Sequence, residues 1–176
     1  IYATFGMTET VSHIALKALN GPSKSDYYNV LPGVKIGIED ECLTIKGAVT
    51  NHKEIVTNDR IEIISPTSFR WLGRKDNVIN SGGIKIQLEQ VEQVIQKIAM
   101  SLNMNNRIIC VPKEDPKLGE KLILLVEGEI DQKEKMLLLS IAKKELPKYW
   151  TPKELFVRDQ FPETQTGKIN RKAIIV

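Results

Sequence analysis

The sequence predicts an α+β chain in two segments. A run of short antiparallel strands forms a small sheet or barrel, and a small, separate α+β domain follows. Three observations carry this. Segments up to Leu72 alternate apolar and polar residues with period two. After Asp76, two stretches place apolar residues at helical spacing. Those stretches interleave with short apolar runs in the order β-α-β-β-α-β.

In chain order, Ile1 to Phe5 reads as a short buried strand ending at Gly6. Met7 to Leu19 mixes polar and apolar residues without a clean period, and Asn20-Gly21-Pro22 stops it. A loop with Tyr27 and Tyr28 leads to a turn at Leu31-Pro32-Gly33. Val34 to Ile38 and Leu43 to Lys46 alternate with period two, with a turn at Glu39-Asp40-Glu41 between them. Ile61 to Ile64 and Phe69 to Leu72 repeat the pattern. Strands this short and this regularly punctuated suggest a small antiparallel sheet or a barrel.

Gly73-Arg74-Lys75-Asp76 reads as a charged turn and marks the boundary between residues 1–75 and residues 76–176. Val78 to Ile86 then places Gly82-Gly83 between two apolar runs, most simply a hairpin turn. Leu88, Val91, Val94, Ile95 and Ile98 predict an amphipathic helix over Gln87 to Met100. Ile108 to Val111 reads as a buried strand, linked by Asp115-Pro116-Lys117-Leu118-Gly119 to another at Leu122 to Val126. Asp131 with Glu134 predicts a capping box for a helix carrying Met136 to Leu146, ended by Pro147. Leu155 to Val157 is the last strand. Tyr149 and Trp150 read as packing or a domain contact.

The 176 residues are 41% hydrophobic, room for one or two small domains. Lys and Arg total 25 against 22 Asp and Glu, a formal charge of +3. The lysines are interspersed with glutamates rather than gathered in a stripe, so nucleic-acid binding has little electrostatic support. Cys42 and Cys110 sit in apolar runs away from any histidine pair, and are expected to be reduced core thiols. No apolar run approaches transmembrane length and no signal peptide is visible. The expectation is a soluble cytoplasmic protein with no membrane partner. Because Ile1 opens within a strand pattern, the chain is also expected to be a fragment that lacks an N-terminal portion.

Three blocks carry chemistry: Phe5-Gly6-Met7-Thr8-Glu9, then Gly73-Arg74-Lys75-Asp76 with Gly82-Gly83, then Pro162-Glu163-Thr164-Gln165-Thr166-Gly167-Lys168. In that order they resemble the C-terminal part of the adenylate-forming superfamily of acyl-CoA synthetases, peptide-synthetase adenylation domains and luciferases. The continuation Thr10-Val11-Ser12-His13 and the short loops between blocks look like the o-succinylbenzoate–CoA ligase family of menaquinone biosynthesis. The resemblance implies an ATP-dependent acid–CoA ligase that works through an acyl adenylate. ATP, Mg²⁺, coenzyme A and a small carboxylic acid would be its ligands. Residues 1–75 would be the C-terminal end of the large nucleotide- and acyl-binding domain, and 76–176 would be the mobile C-terminal domain. The superfamily's Gly-rich Ser/Thr loop for the β,γ-phosphates is absent, so the chain alone is expected to be inactive.

The roles the resemblance implies each have a plainer alternative. Thr8 would meet the α-phosphate and Glu9 the Mg²⁺, which prefers hard oxygen ligands. Phe5, followed by Gly6, would lie against adenine. A Thr-Glu pair is also an ordinary helix start, with Thr as cap. Asp59 matches the ribose-binding Asp, although Asn58 stands where the family has Gly; Asn tolerates the left-handed backbone better than most residues. A turn Asp is the alternative. Arg74 matches the Arg for ribose and phosphate, against a surface ion pair with Asp76 or Glu62. Gly82 and Gly83 would line the pantetheine channel, and Asp76 would be the hinge. Gln90-Val91-Glu92 stands where the family has Glu-Ile-Glu. Lys168, behind a flexible Gly167, would be the adenylation lysine rather than one more exposed lysine; the glycine spacing excludes a P-loop. Ser12 and His13 would line the acyl pocket, with a partly buried structural role for His13 as the alternative. Another acyl- or aryl-CoA synthetase or adenylation domain of the superfamily is the nearest alternative, and a non-catalytic binding module is the reading from another class.

Overall fold

The computed structural model describes residues 1–174. Its backbone divides into two compact units, Ile1–Asp76 and Asn77–Val176. The first contains β1 (Tyr2–Gly6), β2 (His13–Ala18), β3 (Tyr28–Val30), β4 (Val34–Glu39), β5 (Cys42–Gly47), β6 (Ile55–Ser65) and β7 (Ser68–Arg74). They form one antiparallel sheet in the order β1-β2-β3-β7-β6-β5-β4. Its core is Ile14, Leu43, Ile45, Ile61 and Phe69, with Phe5, Tyr28 and Trp71 packed against it. The Phe5 ring meets Phe69 edge-on at 5.1 Å, and Tyr28 stacks on Phe69 at 5.5 Å.

Several expectations need correcting here. The first strand is not buried: β1 ends the sheet order with β2 as its neighbour, and Ile1 and Tyr2 are exposed. The aperiodic stretch from Met7 is a 3-10 turn, Thr8–Thr10, followed by β2, so one sequence window held two structures. The charged tetrad is not a single turn either. Gly73 and Arg74 finish β7, and Lys75–Asn77 forms a 3-10 turn. The β4–β5 turn is the two residues Asp40 and Glu41, both at positive φ, the geometry that matches strand twist in a two-residue hairpin.

The second unit contains β8 (Val78–Ser81), β9 (Ile84–Gln87), α1 (Leu88–Ser101), β10 (Ile108–Asp115), β11 (Gly119–Glu127), α2 (Gln132–Glu145) and β12 (Glu154–Arg158). The β8–β9 hairpin precedes the expected pattern, with Gly82 and Gly83 as its two turn residues at φ +60° and +85°. β11 pairs antiparallel with β10, parallel with β12 and, at Gly119, with β8. The capping box is present: Glu134 N–H donates to Asp131 Oδ1 (2.7 Å) and Asp131 N–H to Glu134 Oε2 (3.0 Å).

β11 is buried on both faces, which is why Leu122 to Val126 reads as a continuous apolar run rather than an alternation. Leu122, Leu124 and Val126 join Ile108 and Cys110 under α1 and α2. Ile123 and Leu125 join Ile109 and Val111 on the other face, covered by Phe161 with Phe156, Ile169 and Ile174. Both cysteines are free and buried. Among the described residues no helix is long and apolar enough to cross a membrane.

Candidate functional site

In the first unit, Glu9 leaves the Thr8–Thr10 turn at the end of β1, whereas Asp59 and Arg74 face each other across the β6–β7 ladder. All three line one cavity of about 240 Å³ with Met7, Ile55, Val56, Thr57 and Asn58. Asp59 is fixed on two sides. Its Oδ1 accepts from Trp71 Nε1 (2.8 Å), and its N–H donates to Thr57 Oγ1 (3.0 Å). Arg74 Nε and Nη2 donate to the two oxygens of Asp76 at 2.9 and 3.3 Å. The alternative of an ion pair between Arg74 and Asp76 is therefore realised, alongside the cavity position. Glu62 pairs with Arg70 instead. Asn58 lies extended within β6, not left-handed, so the backbone argument for Asn in place of Gly falls.

Thr8 is exposed and makes no cap; the residue that organises this turn is Thr10. Its buried Oγ1 accepts from Met7 N–H (3.1 Å) and lies within donating distance of Met7 O (3.0 Å) and Ser12 O (2.8 Å). Val11 then sits at φ +60°, ψ −35°, and Ser12 N–H donates back to Thr10 O at 2.5 Å. That is a γ-turn with positive φ, a rare and strained form. Nothing in the sequence signals it, since a β-branched residue is a poor candidate there. Ser12 and His13 follow, both exposed, with Ser12 Oγ 3.2 Å from His13 Nδ1. His13 is thus not the partly buried residue of the plainer reading. Phe5 turns into the aromatic cluster and does not line the cavity.

The second unit carries the other two groups on separate loops. Gly82 N–H donates to Leu118 O at 2.8 Å, and a Cβ on Gly82 would lie 3.1 Å from the Leu118 side chain. Around Gly83 there is open space. Lys168 lies on a closed turn rather than a loose loop. Thr164 N–H donates to Lys168 O (2.7 Å), Lys168 N–H to Thr164 Oγ1 (3.2 Å) and Gly167 N–H to Thr164 O (2.9 Å). Gly167 takes φ +73°, so it shapes the turn, and the freedom rests with the exposed Lys168 side chain.

Two ion-pair systems flank this turn, and motif reading did not find them because their partners are far apart in sequence. Arg107 Nη2 donates to Glu127 (2.6 Å) and Nη1 to Glu163 (2.5 Å), while Glu127 Oε1 also accepts from Phe161 N–H (2.6 Å). The Arg107 bonds, then the Phe161 N–H, hold Glu127 below the usual carboxylate range. On the other side, Arg171 Nη2 donates to Glu92 Oε1 and Oε2 (2.6 Å each), and Arg171 Nη1 to Cys110 O (2.8 Å). Glu92 also accepts from Cys110 N–H at 2.6 Å. Burial nonetheless pushes the Glu92 carboxyl up, outweighing the Arg171 charge, and pushes the Cys110 thiol well up. Near the unit boundary, buried Glu89 accepts from Asn77 Nδ2 (2.5 Å) and Gln87 Nε2 (2.6 Å).

For a divalent cation, Glu9 is the one carboxylate beside Asp59 in the cavity, and no cluster of three or more potential ligands exists among the described residues. That fits Mg²⁺, which is commonly held by one or two carboxylates together with substrate phosphates.

No family model matches the chain. Among curated proteins it is similar to the 2-succinylbenzoate–CoA ligase of Lactococcus lactis. The two are 30% identical over 192 aligned residues, which take in 99% of this chain and 41% of that protein. Among solved structures it is similar to an AMP-forming acyl-CoA synthetase/AMP-acid ligase II-like protein from Dyadobacter fermentans. There the identity is 44%, over 98% of this chain and 49% of that one, with a TM-score of 0.56. It is also similar to the o-succinylbenzoate–CoA synthetase of Bacillus subtilis, solved with its acyl-adenylate intermediate. That likeness has a TM-score of 0.74 over 98% of this chain and 40% of that one, and at 21% identity it is one of fold. The chain spans less than half the length of these relatives. By sequence and fold together, the chain matches the C-terminal part of the adenylate-forming superfamily, in which these relatives are AMP-forming acyl-CoA synthetases.

Proposed function

We propose that this chain supplies the C-terminal share of the active site of an AMP-forming acid–CoA ligase. The observation that carries the reading is the convergence of Glu9, Asp59 and Arg74, distant in sequence, on one cavity. In the first half-reaction a carboxylate oxygen attacks the α-phosphorus of ATP, and the bond to pyrophosphate breaks. In the second, the CoA sulfur attacks the acyl carbonyl, AMP leaves, and the thiol proton is released.

The roles follow from chemistry. Asp59, pinned by Trp71, can accept both ribose hydroxyls, and the Arg74 fork suits ribose and phosphate oxygens. Glu9 would hold Mg²⁺ with the phosphates, which neutralises charge on the reacting group, and Thr8 would bond the α-phosphate. Phe5 would meet adenine only by an edge, since its ring belongs to the core. Lys168 would bridge the attacking carboxylate and the α-phosphate, and Gly82-Gly83 would let pantetheine pass close to the backbone. Asp76, at the division between units, would be the hinge that presents these two loops alternately.

The acid is proposed to be o-succinylbenzoate, supported by the likeness to the Lactococcus lactis ligase and by the exposed Ser12–His13 pair beside the Glu9 turn. The reading places the enzyme in the cytoplasm, where ATP and CoA are available, and leaves the chain inactive by itself. AMP release from the full-length ligase with a panel of aryl and aliphatic acids tests it; release with none would favour a binding module instead.

In that ligase Lys168→Ala should slow adenylation by on the order of 10²–10³, the scale for one preorganised charge-stabilising group. Thioester formation from supplied acyl adenylate should survive. A bulky residue at Gly83 should do the reverse, and Asp76→Pro, by fixing φ at the joint, should favour one half-reaction over the other. Single-turnover kinetics of each step decide it. Equal slowing of both steps by the Lys168 and Gly83 variants would overturn the alternation.

A further inference from the structure

Resting on that reading, we infer that Glu92 and Arg171 are positioning residues for Lys168. They set the register of its turn by tying Arg171, three residues beyond it, to Glu92 in the second turn of α1, with no contact to the reacting groups.

The turn is the tip of a small hairpin. Glu163 and Ile169 form a β-bridge, and Asn170 N–H donates to Pro162 O at 2.7 Å. A hairpin this short has little stability of its own, so its place depends on where its two legs are tied. The entering leg is tied by Phe161, fully buried on the sheet, and by the Arg107–Glu163 pair. The leaving leg, which carries Lys168, is tied three residues on by Arg171. One terminal nitrogen of that guanidinium donates to a carboxylate on α1 and the other to a backbone carbonyl of β10. Glu92 in turn takes the N–H of the same residue, Cys110. Helix, strand and leaving leg thus meet at one closed arrangement of four hydrogen bonds.

The arrangement asks for these residue types. Only a planar fork reaches two oxygens of Glu92 and a carbonyl at once, so lysine would lose one attachment. Glu92 and Arg171 side chains are 17% and 26% exposed, enough to be costly to leave unpaired and too much to be core filling. A break here leaves the leg bonded only to its own entering leg and held on the sheet by the apolar contacts of Ile169 and Ile174, which fix depth but not register.

The test uses the full-length ligase. Glu92→Ala and Arg171→Lys should each slow adenylation by about 10- to 100-fold, the scale of an ångström-level misplacement of a reacting group. Thioester formation from supplied acyl adenylate should stay within about twofold, because Gly82-Gly83 lies on another loop. Glu92→Gln, which keeps an acceptor for both Cys110 N–H and Arg171, should recover most of the loss. The deciding measurement is the double substitution with Lys168→Ala. With the lysine gone, Glu92→Ala should add no further slowing to adenylation. A full additional loss in that background, or equal slowing of both half-reactions, would show a general structural role and overturn the inference. If Lys168→Ala alone leaves adenylation unchanged, the underlying assignment of Lys168 fails instead.

Discussion

Gly6 is glycine because nothing larger fits. A Cβ there would lie 2.6 Å from Ser12 O and 2.8 Å from His13 Cα, where β1 and β2 shift register. Backbone cannot retreat as a flexible side chain could. Gly6→Ala should therefore destabilise the first unit by roughly 1–3 kcal/mol, the usual cost of overpacking. A urea midpoint lowered at unchanged slope is the readout, and an unmoved midpoint would mean the bulge opens freely. The same residue sits in the block that resembles the family, so its place in the motif has a structural cause independent of any ligand. This shows what was legible at this scale. Glu9, Asp59, Arg74 and Lys168 could be singled out through the resemblance, which matches each of them within a short stretch of sequence. The γ-turn at Val11, the Thr10 hydroxyl and the Glu92–Arg171 pair could not, because each depends on backbone geometry or a long-range partner that composition does not encode.

Elements were read best where a single period runs long enough. α1, with Leu88, Val91, Ile95 and Ile98 buried, and α2, with its Asp131–Glu134 box, lie where the pattern puts them. The failures are short elements sharing a window, as in Thr8–Thr10 and β2. Strand charges in the second unit also carry a pH signature. Glu127 is held low by Arg107, Glu154 by Lys121, and Asp115 by the N–H of Lys117. Lowered carboxyls stabilise the fold above the ordinary carboxylate range and lose that contribution as pH falls through their folded values. Glu92 has the opposite sign, being raised by burial, and offsets part of the loss on acidification. Between about pH 6 and about pH 3 the urea midpoint should therefore fall. The gap between parent and Glu127→Gln should narrow over the same range. A gap that stays constant with pH would remove Glu127 from the explanation.

Over the whole molecule, the second unit has what an independent domain needs. It has a sheet covered on both faces, two helices, and its own boundary at Asn77. A polypeptide of residues 77–176 should show one cooperative thermal transition; a broad, non-cooperative melt would show that it borrows stability from elsewhere. The division into an all-strand segment and an α+β segment was readable from the change of period after Asp76. The strand order was not, because β8 joins β11 through a single residue pair, Ser81 with Gly119.

One face of that sheet has a consequence for the fate of damaged protein. The segment bearing Lys168 also roofs Ile109, Val111, Ile123 and Leu125 through Phe161 and Ile169. A chain cut short before Phe161 would lose its lysine and lay bare an oily strip at the same stroke. Such a strip invites self-association and degradation. If Lys168 is the adenylation lysine proposed above, catalytic loss and clearance are thereby joined in one stretch of chain. A truncated copy would be swept away rather than linger.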